Sequence, residues 1–133
     1  MTERPTTDWR RGIAQEAAEL AAGTLDPDCA CMVDLFPEPL LSATDAVLDA
    51  FEAELPTLAG GDDEQVFAVV ERVVLALNAV NEAHDKCAFE TDEREQLCLY
   101  IDDALAERGV DVAALTASRG LGRHELTDQW RDW

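Results

Sequence analysis

Residues 66–84, VFAVVERVVLALNAVNEAH, decide the fold. The apolar positions in this stretch recur at alternating steps of four and three residues, which places them on one stripe of an α-helix. They are Val66, Val70, Val73, Leu77 and Val80, and His84 ends the series. Leu75 lies nearly opposite the stripe, where it would contact a partner or a second layer. The stretch therefore predicts a long central helix.

Two helices are predicted before the central one. Thr6 or Thr7 can cap a first helix, and Gly23 supplies its end. Ser42, followed three residues later by Asp45, resembles a capping box and predicts the start of a second helix. The connection between them, about residues 24–41, is proline-rich. Because proline disrupts helix interiors, this connection is predicted to run extended across the bundle surface.

The sequence pattern of the C-terminal part predicts one more long helix, followed by shorter helical segments. Thr91 is a good cap for the long helix, which Gly109 ends. Asp111 can cap a short segment. The side chains expected to dock the end of the chain onto the core are Leu126, Trp130 and Trp133. No run alternates with a period of two, so the predicted fold is all-α. It is an irregular bundle of four main helices plus short C-terminal helical segments.

Length and composition predict one domain spanning residues 1–133. Of the 133 residues, 47% are hydrophobic but only 6% are aromatic, so the core must consist mainly of Ala, Val and Leu. A chain of this size can bury roughly two-thirds of its unfolded surface. Residues 1–9 are polar, and no stretch approaches the roughly 20 apolar residues of a membrane span. These features predict a cytoplasmic protein without a membrane partner.

The formal net charge is −19, from 29 acidic and 10 basic residues. This charge opposes binding to nucleic-acid phosphates or anionic lipid, and it favours a basic protein or cations. Solubility, or adaptation to a salty cytoplasm, would explain the same charge. The sequence leaves the oligomeric state open, with a homodimer among the alternatives.

Four cysteines raise the question of a metal site. Cys29, Cys31, His84 and Cys87 could together supply four zinc ligands. Structural zinc sites usually space each ligand pair by two to four residues, whereas Cys29 and Cys31 are separated by one. We therefore expect free thiols and no cofactor, with a zinc-stabilised helical module as the alternative. Cys98 is predicted to be a small hydrophobe on the core face of its helix.

Carboxylates could also form an acid–base pair, as in a small hydrolase or transferase. The closely spaced pairs are Asp26 and Asp28, Glu93 and Glu95, and Asp102 and Asp103. None has the spacing of a calcium loop or of a di-iron bundle site. We nominate no catalytic residue and expect a protein that is not an enzyme, with the carboxylate enzyme as a second alternative.

Two segments carry a family resemblance: residues 90–98, ETDEREQLC, and residues 127–133, TDQWRDW. They resemble segments of small acidic all-helical bacterial proteins of unassigned function, some of which are similar to immunity proteins. The resemblance covers the C-terminal half, from Asn78 onward. Its motifs are helix-start and helix-docking sequences, so it implies a class of protein and assigns no catalytic or binding residue.

The leading hypothesis is a non-enzymatic protein-binding domain of the immunity or antitoxin kind, which inhibits a basic partner protein. The binding surface would be the acidic face of the helix that follows Thr91. The residues expected to provide its charge are Asp92, Glu93, Glu95, Asp102 and Asp103. Leu99 or Tyr100 would supply the apolar contact that the partner buries.

Overall fold

The computed structural model describes residues 2–30, 32–58, 62–86 and 88–133. The fold is all-α, as predicted, and no strand occurs in these ranges. The α-helices are α1 (Pro5–Ala22), α2 (Met32–Leu35), α3 (Glu38–Glu54), α4 (Asp63–Ala83), α5 (Thr91–Glu107) and α6 (Val112–Ala117). Short 3₁₀ turns occur at Pro27–Cys29, Leu55–Leu58 and Arg123–Glu125. No helix in the described ranges has the length and hydropathy needed to span a membrane.

Helix α4 is central, as its stripe of apolar residues predicts. All five apolar members of the stripe are buried, and Val69 and Val74 beside it are buried too. Its most extensive neighbour is α3. Full burial of one such Val or Leu side chain contributes roughly 1.5–3 kcal/mol, so this stripe is a major source of stability. Leu75, on the opposite side, is 47% exposed.

A buried asparagine ends α4 and shapes the turn after it. Asn81 is only 2% exposed. Its side-chain Oδ1 accepts hydrogen bonds from the backbone N–H groups of Ala88 at 3.0 Å and Phe89 at 3.4 Å. Its backbone carbonyl accepts from His84 and Lys86. One side chain thus satisfies two buried amides of the loop that leads to α5, a role that the apolar pattern of the sequence did not indicate.

The proline-rich connection is more helical than predicted. It contains the 3₁₀ turn Pro27–Cys29, helix α2 and the first turn of α3, so the prediction of an extended chain was wrong. Pro37 occupies the N-cap of α3 and Pro39 lies in the first turn. Proline suits these positions because the first helical N–H groups have no intrahelical acceptor. Ser42 is therefore inside α3 and does not cap it, contrary to the prediction.

Helix α1 also begins at a proline. Its first residue is Pro5, and its N-cap is Arg4 without a side-chain cap, so the predicted Thr6 or Thr7 cap was wrong. Gly23 ends the helix in a left-handed conformation, as predicted. The buried Trp9 stacks on Phe36, with ring centroids 4.9 Å apart. This contact fixes the first half of α1 against the chain that enters α3.

Ion pairs join the start of α1 to α3. The Arg10 guanidinium donates to Glu38 at 2.9 Å and to Asp45 at 3.0 Å. Arg4 donates to Glu52, one turn from the end of α3. Partly exposed pairs of this kind contribute little energy individually, but together they fix how α1 lies along α3.

Helix α5 and the C-terminal segment complete the bundle. The N-cap of α5 is Glu90, and Thr91 is the first helical residue, so the predicted Thr91 cap was wrong by one position. The Asp111 side chain caps α6 by accepting from the Ala114 N–H at 3.0 Å, as predicted. Near the C-terminus, the rings of Trp133 and Phe89 meet edge to face, with centroids 5.4 Å apart. The C-terminal segment therefore packs on the core, as predicted.

Candidate functional site

All seven residues of the predicted binding surface lie on α5. The structure separates them by exposure. Asp92, Glu95 and Leu99 are exposed, whereas Glu93, Asp102 and Asp103 are partly buried. Acidic residues in the first turn, next to the positive end of the helix dipole, also stabilise α5 itself. The exposed members form the outer face of the helix.

Tyr100 does not belong to this surface. It is 3% exposed, and its ring meets Phe51 edge to face with centroids 6.0 Å apart. Burial and the nearby Glu52 carboxylate raise the pKa of its phenol. Tyr100 follows Leu97 by three residues and precedes Ala104 by four, which places it on the core face of α5. The prediction that Tyr100 could anchor a partner was therefore wrong.

Asp102 has a partner within the chain. The Arg123 Nε–H donates to its carboxylate at 2.9 Å, and the Arg123 Nη2 donates to its other oxygen. The Asp102 side chain is only 16% exposed. Its negative charge is largely balanced by this bidentate pair, so Asp102 adds less to the outward field than the sequence suggested.

Leu99 is the most exposed large apolar side chain in the described part of the chain, at 61%. Glu95 lies one turn before it and Asp103 one turn after it, and neither carboxylate is in a salt bridge within the described residues. The three residues form one row along α5. This row, Glu95, Leu99 and Asp103, is called the α5 ridge below.

A groove of about 430 Å³ lies on one side of the ridge, between α5 and residues 123–131. Basic side chains are concentrated here, at Arg94, Arg123, His124 and Arg131. Cys98 also lines the groove, with its Sγ 3.3 Å from the Thr127 hydroxyl oxygen. Cys98 is only partly buried, so the prediction that it is a core hydrophobe was incomplete.

A second groove lies on the other side of the ridge, between α1 and α5. One section, of about 360 Å³, is lined by Trp9, Met32, Leu35, Asp92 and Glu93. The other section, of about 180 Å³, is lined by Glu3, Leu99 and Asp103. Asp8 and Gln96 line both sections, which makes them one continuous feature. We call it the α1–α5 groove.

A long-range hydrogen bond forms the floor of the α1–α5 groove. The Trp9 indole N–H donates to the Gln96 Oε1 at 2.6 Å, across 87 residues of sequence. Sequence reasoning missed Gln96, because a single glutamine in an acidic helix carries no periodic signal. It also missed the groove, which exists only because α1 and α5 are neighbours in the fold.

The zinc alternative can be placed only in part. Cys31 and Cys87 lie outside the described residues. Cys29 is exposed at the end of a 3₁₀ turn. The Nδ1–H of His84 donates to the Val80 carbonyl at 2.9 Å, as expected for a histidine near a helix end. Within residues 2–30, 32–58, 62–86 and 88–133, no group of three or more His, Cys, Asp or Glu side chains could hold a metal ion.

Two carboxylates have clearly shifted pKa values, and both have a structural role. Hydrogen bonds from Arg10 and Ser42 lower the pKa of Glu38. Burial alone would raise the pKa of Asp45, but hydrogen bonds from Thr6 and Arg10 outweigh it and lower that pKa. Both groups belong to the α1–α3 ion pairs. A general acid at neutral pH needs a raised pKa, so these two residues do not support the carboxylate-enzyme alternative.

Comparison with known proteins gives no match to a protein-family model, to a curated protein or to a solved structure.

Proposed function

We propose that the protein is a non-enzymatic binding protein of the immunity or antitoxin kind, which inhibits a basic partner protein through the outer face of α5. The observation that carries this proposal is the α5 ridge. An apolar side chain exposed to 61% lies between two carboxylates that have no salt bridge within the described residues. An apolar centre with a polar rim is the usual arrangement of a protein interface.

The energetics of such an interface divide between the two kinds of residue. Burial of Leu99 by a partner would contribute roughly 1.5–3 kcal/mol. Glu95, Asp103 and the net charge of −19 would act mainly on the association rate, by attracting a positively charged surface. Salt should therefore slow association, whereas loss of the leucine should speed dissociation.

The test uses two leucines of similar exposure on different helices. Leu99→Asp places a charge on the ridge, and Leu75→Asp places the same charge on the outer side of α4, where Leu75 is 47% exposed. Tagged wild type and both variants are used to isolate partners from cells that make the protein, and the partner is then purified. Binding of the purified partner to wild type and to each variant is measured directly, as is the inhibition of the partner's activity.

We expect a basic partner that wild type and Leu75→Asp bind and inhibit equally, whereas Leu99→Asp binds at least about tenfold more weakly. Association should slow as the salt concentration rises. A partner that binds Leu99→Asp as tightly as wild type would contradict the proposal, as would an acidic partner.

A further inference from the structure

The α1–α5 groove has a distribution of charge and apolar surface that specifies an occupant more closely than the ridge does. Its lining holds more acidic than basic side chains: Glu3, Asp8, Asp92, Glu93 and Asp103 against Arg4 and Arg11. Asp92 and Glu93 have no salt-bridge partner in the described part of the chain. Asp8 is 3.6 Å from Arg11, a weak and exposed pair. Arg11 pairs with Glu3 and Asp8, and Arg4 pairs with carboxylates of α3. Asp92 and Glu93 therefore leave uncompensated negative charge in the described part of the groove, which favours a basic occupant.

Each section of the same groove has apolar side chains in its lining. Leu35, which is 49% exposed, and the partly buried Met32 line the section that Asp92 and Glu93 also line. Leu99 lines the other section. Asp92 and Leu99 are seven residues apart on α5, which corresponds to about 10 Å along the helix axis. The groove thus has an apolar contact in each of its two sections, and it follows α5 for about two helical turns from Asp92 to Leu99.

We propose that the α1–α5 groove docks an amphipathic basic helix of the partner protein. Two apolar residues of that helix, seven positions apart, contact Leu35 with Met32 and Leu99. Lysine or arginine residues between them face Asp8, Asp92 and Glu93. A helix laid in the groove between two packed helices extends the bundle by one member, and its spacing of two turns matches the length of α5 from Asp92 to Leu99 along the groove.

The floor of the groove supplies a polar contact. Gln96 uses its Oε1 to accept from Trp9, so the amide must present its Nε2 donors elsewhere. Gln96 is partly exposed and lines both sections of the groove. Its amide N–H groups, which have no acceptor among the described residues, can donate to a polar side chain or a terminal carbonyl of the docked helix. The Trp9 bond holds the Gln96 side chain in place for this contact.

This inference rests on the proposed function, because it names the part of the partner that binds. Its test begins with a probe that does not require the partner. The probe is a fluorescein-labelled helical peptide of about 14 residues, with two leucines seven positions apart and lysines at the third and fourth positions between them. A control peptide has the same composition with the leucines five positions apart, which puts them on different faces.

The protein variants are matched in charge and in helix position. Asp92→Lys with Glu93→Lys reverses two charges in the first turn of α5, and Asp63→Lys with Glu64→Lys reverses two in the first turn of α4. Both pairs change the net charge by the same amount and lose the same helix-dipole interaction. Binding is measured by fluorescence anisotropy, and circular dichroism checks that each variant is folded.

We expect the α5 pair to weaken binding of the peptide at least about tenfold, and the α4 pair to weaken it less than about threefold. The control peptide should bind at least about fivefold more weakly than the probe. Equal weakening by the two pairs, or equal binding of the two peptides, would show attraction by net charge alone and would overturn the inference. Absence of peptide binding at low salt would overturn it as well.

The purified partner separates this inference from the proposed function. A partner that loses affinity for Leu99→Asp, but binds the Asp92→Lys, Glu93→Lys pair like wild type, would leave the α5 ridge as the interface and refute docking in the groove. Glu95→Lys changes the ridge alone, because Glu95 does not line the groove. A partner that the Asp92→Lys, Glu93→Lys pair weakens, but that binds Glu95→Lys like wild type, would support docking in the groove and refute the proposed role of the ridge charge.

Discussion

Replacement of Asn81 by alanine removes the acceptor that serves two backbone amides after α4. The Ala88 and Phe89 N–H groups donate to the Asn81 Oδ1 at 3.0 and 3.4 Å, and all three residues are buried. A buried donor left without a partner costs about 1–3 kcal/mol. The second bond is long, and alanine favours helix by several tenths of a kcal/mol, so we expect a net loss of about 2–4 kcal/mol.

Such a loss is a large fraction of the typical total stability of a domain, about 5–15 kcal/mol. It should appear as a lower urea midpoint with an unchanged slope, followed by circular dichroism at 222 nm. At about 4 °C per kcal/mol for a chain of this size, the Tm should fall by about 8–16 °C. Hydrogen exchange at the Ala88 amide should accelerate locally in the same variant.

Glu82→Ala provides the control, because Glu82 is the next residue of α4 and is exposed. Its effect on stability should stay within about 0.5 kcal/mol. A loss below about 0.5 kcal/mol for Asn81→Ala, with the Ala88 amide still protected, would refute the reasoning. In that case the two amides would have acceptors other than the Asn81 side chain.

Three other perturbations test the core, the pH dependence of stability and the zinc alternative. In urea titrations, Leu97→Ala in the core should lower the free energy of unfolding by about 2–5 kcal/mol. Leu99→Ala on the ridge should change it by less than about 0.5 kcal/mol. Equal losses would contradict the exposure of Leu99. Because the pKa of Asp45 is lowered in the folded chain, its ionised form stabilises the fold above the unfolded pKa of about 4, and this contribution is lost as the pH falls through the lower folded pKa. The fall in Tm from pH 6 to pH 3 should therefore be smaller in Asp45→Asn than in wild type. An equal fall in the two proteins would exclude this linkage. Native mass spectrometry of protein purified without chelator should show no stoichiometric zinc; one zinc per chain that is lost in Cys29→Ser would instead establish the zinc module.

Sequence patterns predicted the helices whose apolar residues repeat regularly. The stripe from Val66 to Val80 identified α4 because steps of four and three are specific to a helix. The Asp111 cap was predictable because a short acceptor directly preceded the helix. The starts of α1 and α3 were misplaced because Pro5 and Pro39 lie in first turns, where proline favours a helix, whereas Ser and Thr nearby offered a competing signal.

The candidate site was less predictable than the fold. The sequence identified α5 and its exposed Leu99, because charge and apolar residues follow one another along a single element. It placed Tyr100 on the wrong face, because aromatic residues suit both cores and interfaces. The α1–α5 groove depends on the contact of Trp9 with Gln96, and no local pattern records a tertiary contact between residues so far apart.

That same Trp9–Gln96 contact has a consequence for how the chain folds. Helices α3 and α4 are neighbours in sequence, so their interface can close early and at small entropic cost. The Trp9–Gln96 hydrogen bond closes a loop of 87 residues, which places it among the last contacts expected to form. A partly folded chain without this contact would lack the α1–α5 groove. Any molecule held there would therefore bind only chains that have formed the contact and would shift the folding equilibrium toward them.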